Sequence, residues 1–296
     1  MLQISKPIVL DNVTCPYCGV RLTEKNSNKE HVIGRRFVPR GTLDGKWNLI
    51  VRACRTCNGR KADLENDLSA ITMQPDPRGK YARDDQILKD EAIRKGQKSI
   101  SSRTGKATSD SFENIEVTQR LNKKLQTKIS FMSSPQADPQ RLLDLAHFHI
   151  KGFFYFVTYN PHTKMGRFWQ GNLFGVAVTV LSDWGNLLNR AFMDTVVTWE
   201  PRMIGGSADG FFKIAIRRHP DSETICWSWA LEWNAKFRAI GFFGEEKPIR
   251  AINATFPKLE MQTIVLGPDE YVGIRMETPI TQEDDQLFYW DKFETE

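Results

Sequence analysis

From residue 138 onward the apolar positions first recur every three or four residues. Leu142, Leu143, Leu145, Ala146, Ile150 and Phe153 make one helical face. Asp138-Pro139 marks its start, with proline at the first helical position. A second long apolar stretch runs from Phe174 to Leu181 and on through Leu187, Leu188 and Phe192. Past Gly205-Gly206 the period shortens. Phe211 to Arg217, Trp227 to Trp233, Phe237 to Phe243, Met261 to Leu266 and Tyr271 to Met276 read as strands. His219-Pro220-Asp221-Ser222 reads as a turn between two of them. Helices followed by a run of strands predict an α+β domain with an antiparallel sheet.

The first 75 residues have another character, with short apolar runs, turn signals and many Cys, Gly and Arg. A helix is expected from Asn58 through Asp63 to Ile71, stopping before Pro75 and Pro77. Lys80 to Gln97 is mostly charged, with Ile87, Leu88 and Ile93 as a thin apolar stripe, which reads as an exposed helix or connector. Residues 98–111, rich in Ser, Thr, Lys and Gly, read as a loop or flexible linker. The expected division is therefore 1–78, a charged connector over 79–130, and an α+β domain over 131–296. No internal repeat at a fixed period is visible.

Charge follows the same division. Residues 1–80 carry 14 Lys and Arg against 8 Asp and Glu, and residues 81–130 carry 11 against 7. Residues 131–296 reverse the balance, 16 against 21. Positive charge gathered in the first half suits a phosphate backbone, although a solvated basic surface has the same composition. No stretch of eighteen apolar residues argues for a membrane span, and Met1 to Pro7 lacks the apolar core of a signal peptide. A reducing cytoplasm is the expected setting, where paired cysteines serve more often as metal ligands than as disulfides.

Four of the five cysteines form two Cys-x-x-Cys pairs, Cys15/Cys18 and Cys54/Cys57, and Cys226 stands alone as an expected buried thiol. Two such knuckles supply the four soft ligands that a tetrahedral structural zinc requires. Between the pairs lie Glu30-His31-Val32-Ile33-Gly34 and Asn48, and the second pair runs into Asn58-Gly59-Arg60-Lys61.

Acid-His, a mid-loop Asn and Cys-x-x-Cys-Asn-x-x-Lys, in that order over residues 12–65, resemble the cysteine-bearing branch of the HNH endonucleases. The resemblance implies a small zinc-braced ββα-metal nuclease module ahead of the larger α+β domain. It implies His31 as the general base that activates water, and Glu30 and Asn58 as ligands of a catalytic Mg²⁺ or Mn²⁺. Asn48 would hold the His31 loop by hydrogen bonding, and products would carry 5′-phosphates. Glu30 stands where the family more often has Asp, and Asn58 where the namesake motif has His. Among the basic residues nearby, Arg60 and Lys61 are the expected phosphate contacts.

The expected activity is phosphodiester hydrolysis on nucleic acid, DNA before RNA, by a bacterial or phage-related defence effector. Homodimerisation, a small-molecule trigger and a protein partner stay open. The rival classes are a non-catalytic zinc-dependent nucleic-acid-binding protein and a structural subunit of a larger complex. His147 and His149 read as core or surface histidines, and the tryptophans at 227, 229 and 233 as sheet core before a base-stacking pocket.

Overall fold

The computed structural model describes residues 6–120, 126–267 and 270–289. The first five residues of the opening segment, and residues 121–125 of the expected connector, lie outside them. The first three strands are β1 (Ile8–Val9), β2 (Ser27–His31) and β3 (Leu49–Cys54), in the order β1-β3-β2. Strands β2 and β3 pair antiparallel, with Ser27 opposite Cys54 and His31 opposite Ile50. Helix α1 (Arg55–Met73) leaves β3 without a loop. Cys54 ends the strand and caps the helix, its sulfur accepting from the Cys57 N–H at 3.5 Å. This start is three residues earlier than the pattern predicts, because a cysteine does the capping that Ser or Asp usually signals.

Helix α2 (Gln86–Lys98) follows, then the hairpin of β4 (Glu113–Arg120) and β5 (Gln126–Ser133). The charged stretch is a helix as expected, but it is not exposed all round. Leu88, Glu91, Ala92, Lys95 and Gly96 are buried on one side. The supposed flexible linker also carries defined contacts. Ser101 bonds Lys106 through the backbone, Thr108 bonds Ser99, and the Ser102 hydroxyl donates to Asp67 at 2.6 Å. Hydropathy misses such a segment because hydrogen bonds to buried polar groups, not apolar burial, give it its conformation.

Helix α3 (Pro139–Val157) is capped by Asp138, whose carboxylate accepts from the Gln140 and Arg141 N–H groups. The second apolar stretch then divides into strand β6 (Leu173–Val180) and helix α4 (Leu187–Val196). Strands β7 (Glu200–Ser207), β8 (Phe212–Arg218), β9 (Cys226–Trp233) and β10 (Phe237–Gly244) complete an antiparallel sheet in the order β6-β10-β9-β8-β7. Helix α5 (Glu246–Ala254) and the hairpin of β11 (Gln262–Gly267) and β12 (Glu270–Ile274) come last. The described residues thus form a mixed α+β structure with five α-helices. None of these helices is long and apolar enough to cross a membrane.

Alternation along the sheet strands supplies two apolar faces. Ile214, Ile216, Trp229, Leu231, Trp233 and Phe243 face α3 and the first seventy residues, whereas Ala215, Cys226, Ala230, Ile240 and Phe242 face α4 and α5. Trp229 and Trp233 are core and so not open to a base, whereas Trp227 is half-buried and stacked on Phe243 at 5.7 Å. Cys226 is a buried thiol whose pKa burial pushes up to about 12.

The cluster facing α3 joins the first fifty residues to α3 and the five-stranded sheet. Phe37 packs edge-on to Trp233, Val32 lies against Gly152, and the Trp47 indole N–H donates to the Gly206 carbonyl at 2.7 Å. His149 of α3 sits at the seam between Phe37, Phe212 and Trp233, with both ring nitrogens unpartnered. Burial lowers its pKa to about 4, so the contact with Glu65 at 3.7 Å is not an ion pair at neutral pH.

That shift fixes a pH dependence. The unfolded chain takes a proton on His149 below about pH 6.5, while the folded chain resists until about 4. Stability at neutral pH is therefore lost as pH falls from 6.5 to 4, by up to about 3 kcal/mol from this group. Urea midpoints measured at pH 7 and pH 4.5 should differ less in His149→Leu than in the parent. Equal pH dependence in both would remove His149 as a cause.

Candidate functional site

Four thiols come together at one end of the β2–β3–α1 unit. Cys15 and Cys18 lie on a tight loop closed by the Cys15 N–H to Val20 and the Gly19 N–H to the Cys15 carbonyl. Gly19 has φ +74°, and a side chain there would run into the ring of Phe168. Cys54 and Cys57 come from the junction of β3 and α1. All four sulfurs lie within 4.8 Å of one another, with Cys18 and Cys54 at 3.7 Å. A tetrahedral zinc with bonds of about 2.3 Å holds sulfurs about 3.8 Å apart, so the donor set and spacing fit that ion. The Cys54 N–H approaches the Cys15 sulfur at 3.5 Å. The Cys57 thiol, with backbone N–H groups in support, lowers the Cys15 pKa, while the same contact raises that of Cys57, so without a metal one thiol of the pair is favoured as the thiolate.

His31 ends β2, half-buried. Just after it, Asn48 grips the backbone of Ile33 on both sides, accepting from its N–H at 3.2 Å and donating to its carbonyl at 2.7 Å. Asn48 itself is buried, and its own carbonyl accepts from Ile8 of β1 at 2.8 Å. The amide thus ties the turn beyond His31 to the start of β3. Burial lowers the His31 pKa below the ordinary value, and the charges of Lys29, Arg35 and Lys61 add to that. The ring is neutral at pH 7, and no side chain among the described residues bonds to it.

Beneath His31 lies a buried ammonium. Lys61, 1% exposed, donates to the His31 carbonyl at 3.1 Å and pairs with Glu30 at 2.8 Å and Glu65 at 2.6 Å. Burial opposes its charge, but the two carboxylates outweigh that and raise the Lys61 pKa. Glu30 also receives the Tyr17 hydroxyl at 3.5 Å, and its pKa is raised, first by burial. Gly34 leaves room for Glu65, whose carboxylate fills the place a side chain at residue 34 would take.

Two expected roles meet this geometry differently from the sequence reading. Lys61 cannot reach a phosphate from its buried position. It lies on the same face of α1 as Asn58 and Glu65, and that face is turned toward β2. Glu30 is on the inward side of β2 and committed to Lys61, so its carboxylate, as placed, does not fit a divalent cation. Asn58 is half-buried, one turn before Lys61, and its side chain is unpartnered among the described residues. Arg60 is exposed on the outer side of the same turn. Glu65 was missed in the sequence, although the Lys61–Glu65 spacing of four on a helix is a recognisable signal.

No family model, no curated protein and no solved structure matches the chain.

The thiol cluster carries its own test. The purified protein should hold about one zinc per chain, and Cys15→Ser should lose it together with a large drop in melting temperature. If elemental analysis finds no zinc and a chelator leaves the melt unmoved, the thiols are not a metal site.

Proposed function

We propose that the chain is an HNH-type endonuclease that hydrolyses phosphodiester bonds in nucleic acid, DNA first, with zinc on Cys15, Cys18, Cys54 and Cys57 as a brace. One observation carries this reading: the two-sided fixing of His31. Lys61 of α1 holds its carbonyl and Asn48 holds the turn after it, which leaves a neutral, half-exposed imidazole with no protein partner. A free, neutral, positioned imidazole is what a general base for water requires. In this reading His31 accepts the proton of the attacking water at a ring nitrogen. Asn48 is a positioning residue, and Arg35, whose charge acts on His31, meets the negative phosphate.

Dependence on Mg²⁺ or Mn²⁺ rests on the resemblance to the HNH family. Glu30 does not fit the ion while it pairs with Lys61, and no step is derived through it. Asn58 is the one expected ligand left open. Arg60 remains a phosphate contact in the proposal and Lys61 does not. A role as a conditional nuclease in bacterial or phage-related defence rests on a basic first half joined to an acidic second half, and on analogy. The Glu30–Lys61 pair is also the observation that favours a second reading, a zinc-braced protein that binds nucleic acid without cutting it.

A plasmid-nicking assay with added Mg²⁺ or Mn²⁺ separates the two. The parent should nick, and His31→Ala should be slower by about a hundredfold or more with its zinc retained. Binding without nicking under either metal would favour the second reading, and nicking by His31→Ala at the parent rate would remove His31 from the chemistry.

The rate should also rise with pH through a midpoint below about 6.5, because the base works unprotonated and its pKa is lowered. Arg35→Gln removes a neighbouring positive charge and should move that midpoint upward. A midpoint that stays put separates Arg35 from the histidine.

A further inference from the structure

A cleft of about 940 Å³ opens beside the His31 loop. Three segments wall it: residues 35–44 after the loop, the middle of α1, and the C-terminal half of α2. One buried ammonium holds these walls together. Lys95 of α2 donates to the Arg36 carbonyl and to the Ser69 hydroxyl of α1, the latter at 2.8 Å. Its burial is deep enough to bring its pKa down to about 8.

The charge of the lining is not balanced. Of its acids, Glu65 is held by Lys61, Asp63 by Arg141 and Glu91 by Arg94. Only Asp44 stands without such a partner among the described residues. Against it, Arg35, Arg36, Arg40 and Lys98 are exposed around the cleft and form no ion pair among the described residues, with the charge of Arg40 also acting on Glu91. Leu43 and Ala62 are the only apolar side chains of the lining and no aromatic ring joins them, its other apolar surface belonging to polar and charged residues, whereas pockets for small organic ligands are walled mostly by apolar and aromatic side chains. Unpaired guanidinium and ammonium groups spread along a groove match a chain of phosphates instead.

The cleft also runs into the site already described. Glu65 belongs both to its wall and to the Lys61 network under His31, and the charge of Arg35 reaches the imidazole.

We propose that this cleft holds the phosphodiester backbone of a nucleic-acid strand on one side of the bond to be cut, with α2 as its outer wall. The inference rests on the nuclease reading for what happens at His31. Its own content is that Arg36, Arg40 and Lys98 set affinity without touching the chemistry. It also gives the charged α2 segment, which lies outside the residues that resemble the HNH family, a direct part in substrate binding.

The test uses the full-length, zinc-loaded protein carrying His31→Ala, so that binding is read without cleavage. Fluorescence anisotropy follows labelled 20-mer DNA, single- and double-stranded, and RNA of the same sequence, at salt between 50 and 200 mM. Arg36→Glu with Arg40→Glu, and separately Lys98→Glu, should each weaken binding by about tenfold or more at low salt. Each removed cation should flatten the plot of log affinity against log salt by about one unit. Lys258→Glu, an exposed change outside the cleft, should do neither.

Cleft variants that keep their zinc and melting temperature yet bind with the parent's affinity and salt slope would falsify the proposal. A His31→Ala protein that binds none of these strands overturns it too. Cleavage is measured separately, with His31 restored. Cleavage together with unaltered binding in the cleft variants removes the cleft and keeps the nuclease. Cleft-dependent binding without cleavage does the reverse.

Discussion

A buried ammonium is expensive to keep, and Lys61 shows what the surrounding chain must supply to keep it charged. Removing an isolated charge from water costs several kcal/mol even after relaxation. The compensation here comes from three separate places: Glu30 on β2, Glu65 one turn along α1, and the backbone carbonyl of His31. Each of these is thereby fixed relative to the others. The strand cannot slide along the helix without leaving a charge unpaired. Gly34 has no side chain because the Glu65 carboxylate needs that space. A cluster that adds little net stability thus sets the register of helix against strand, and His31 inherits its position from it.

The same logic recurs at Lys95, which ties α2 to the residue 36 carbonyl and to α1. Two lysines whose long stems are buried and whose heads meet oxygens hold the polar side of the first hundred residues together. The apolar side is held by the seam of Phe37, Val32 and Trp47 against α3 and the sheet. Full burial of a side chain like Phe37 contributes roughly 1.5–3 kcal/mol. The thiol cluster lies at the far end of β3 from Asn48, so one short strand spans the distance between the four thiols and the clamp on the histidine turn.

Much of this was legible in the residues. The sheet strands announce themselves by alternation, α3 by its apolar face and Asp-Pro start, and the four thiols by paired spacing. The role of Asn48 is a matter of order along the chain, and its two bonds to Ile33 are what that order leads one to seek. What could not be read were the pairings between segments. Nothing local tells that Lys61 points inward, since a lysine in a basic run normally faces water. Only the arrival of Glu30 from β2 makes the inward position tolerable. The 98–111 segment misled for a similar reason. Ser, Thr and Gly mark a flexible linker until a buried acceptor such as Asp67 is placed beside them. In each case the missing fact was a partner distant in sequence.

Among the four sulfurs, Cys15 and Cys54 are buried and Cys57 is half-covered, while Cys18 faces solvent. That asymmetry leaves the cluster open to water chiefly at Cys18, with Cys57 partly open beside it. An oxidant, a competing chelator or a metal carrier approaching from water meets the Cys18 sulfur first. For a metal held by the four thiols, Cys18 would be the ligand most open to exchange with water.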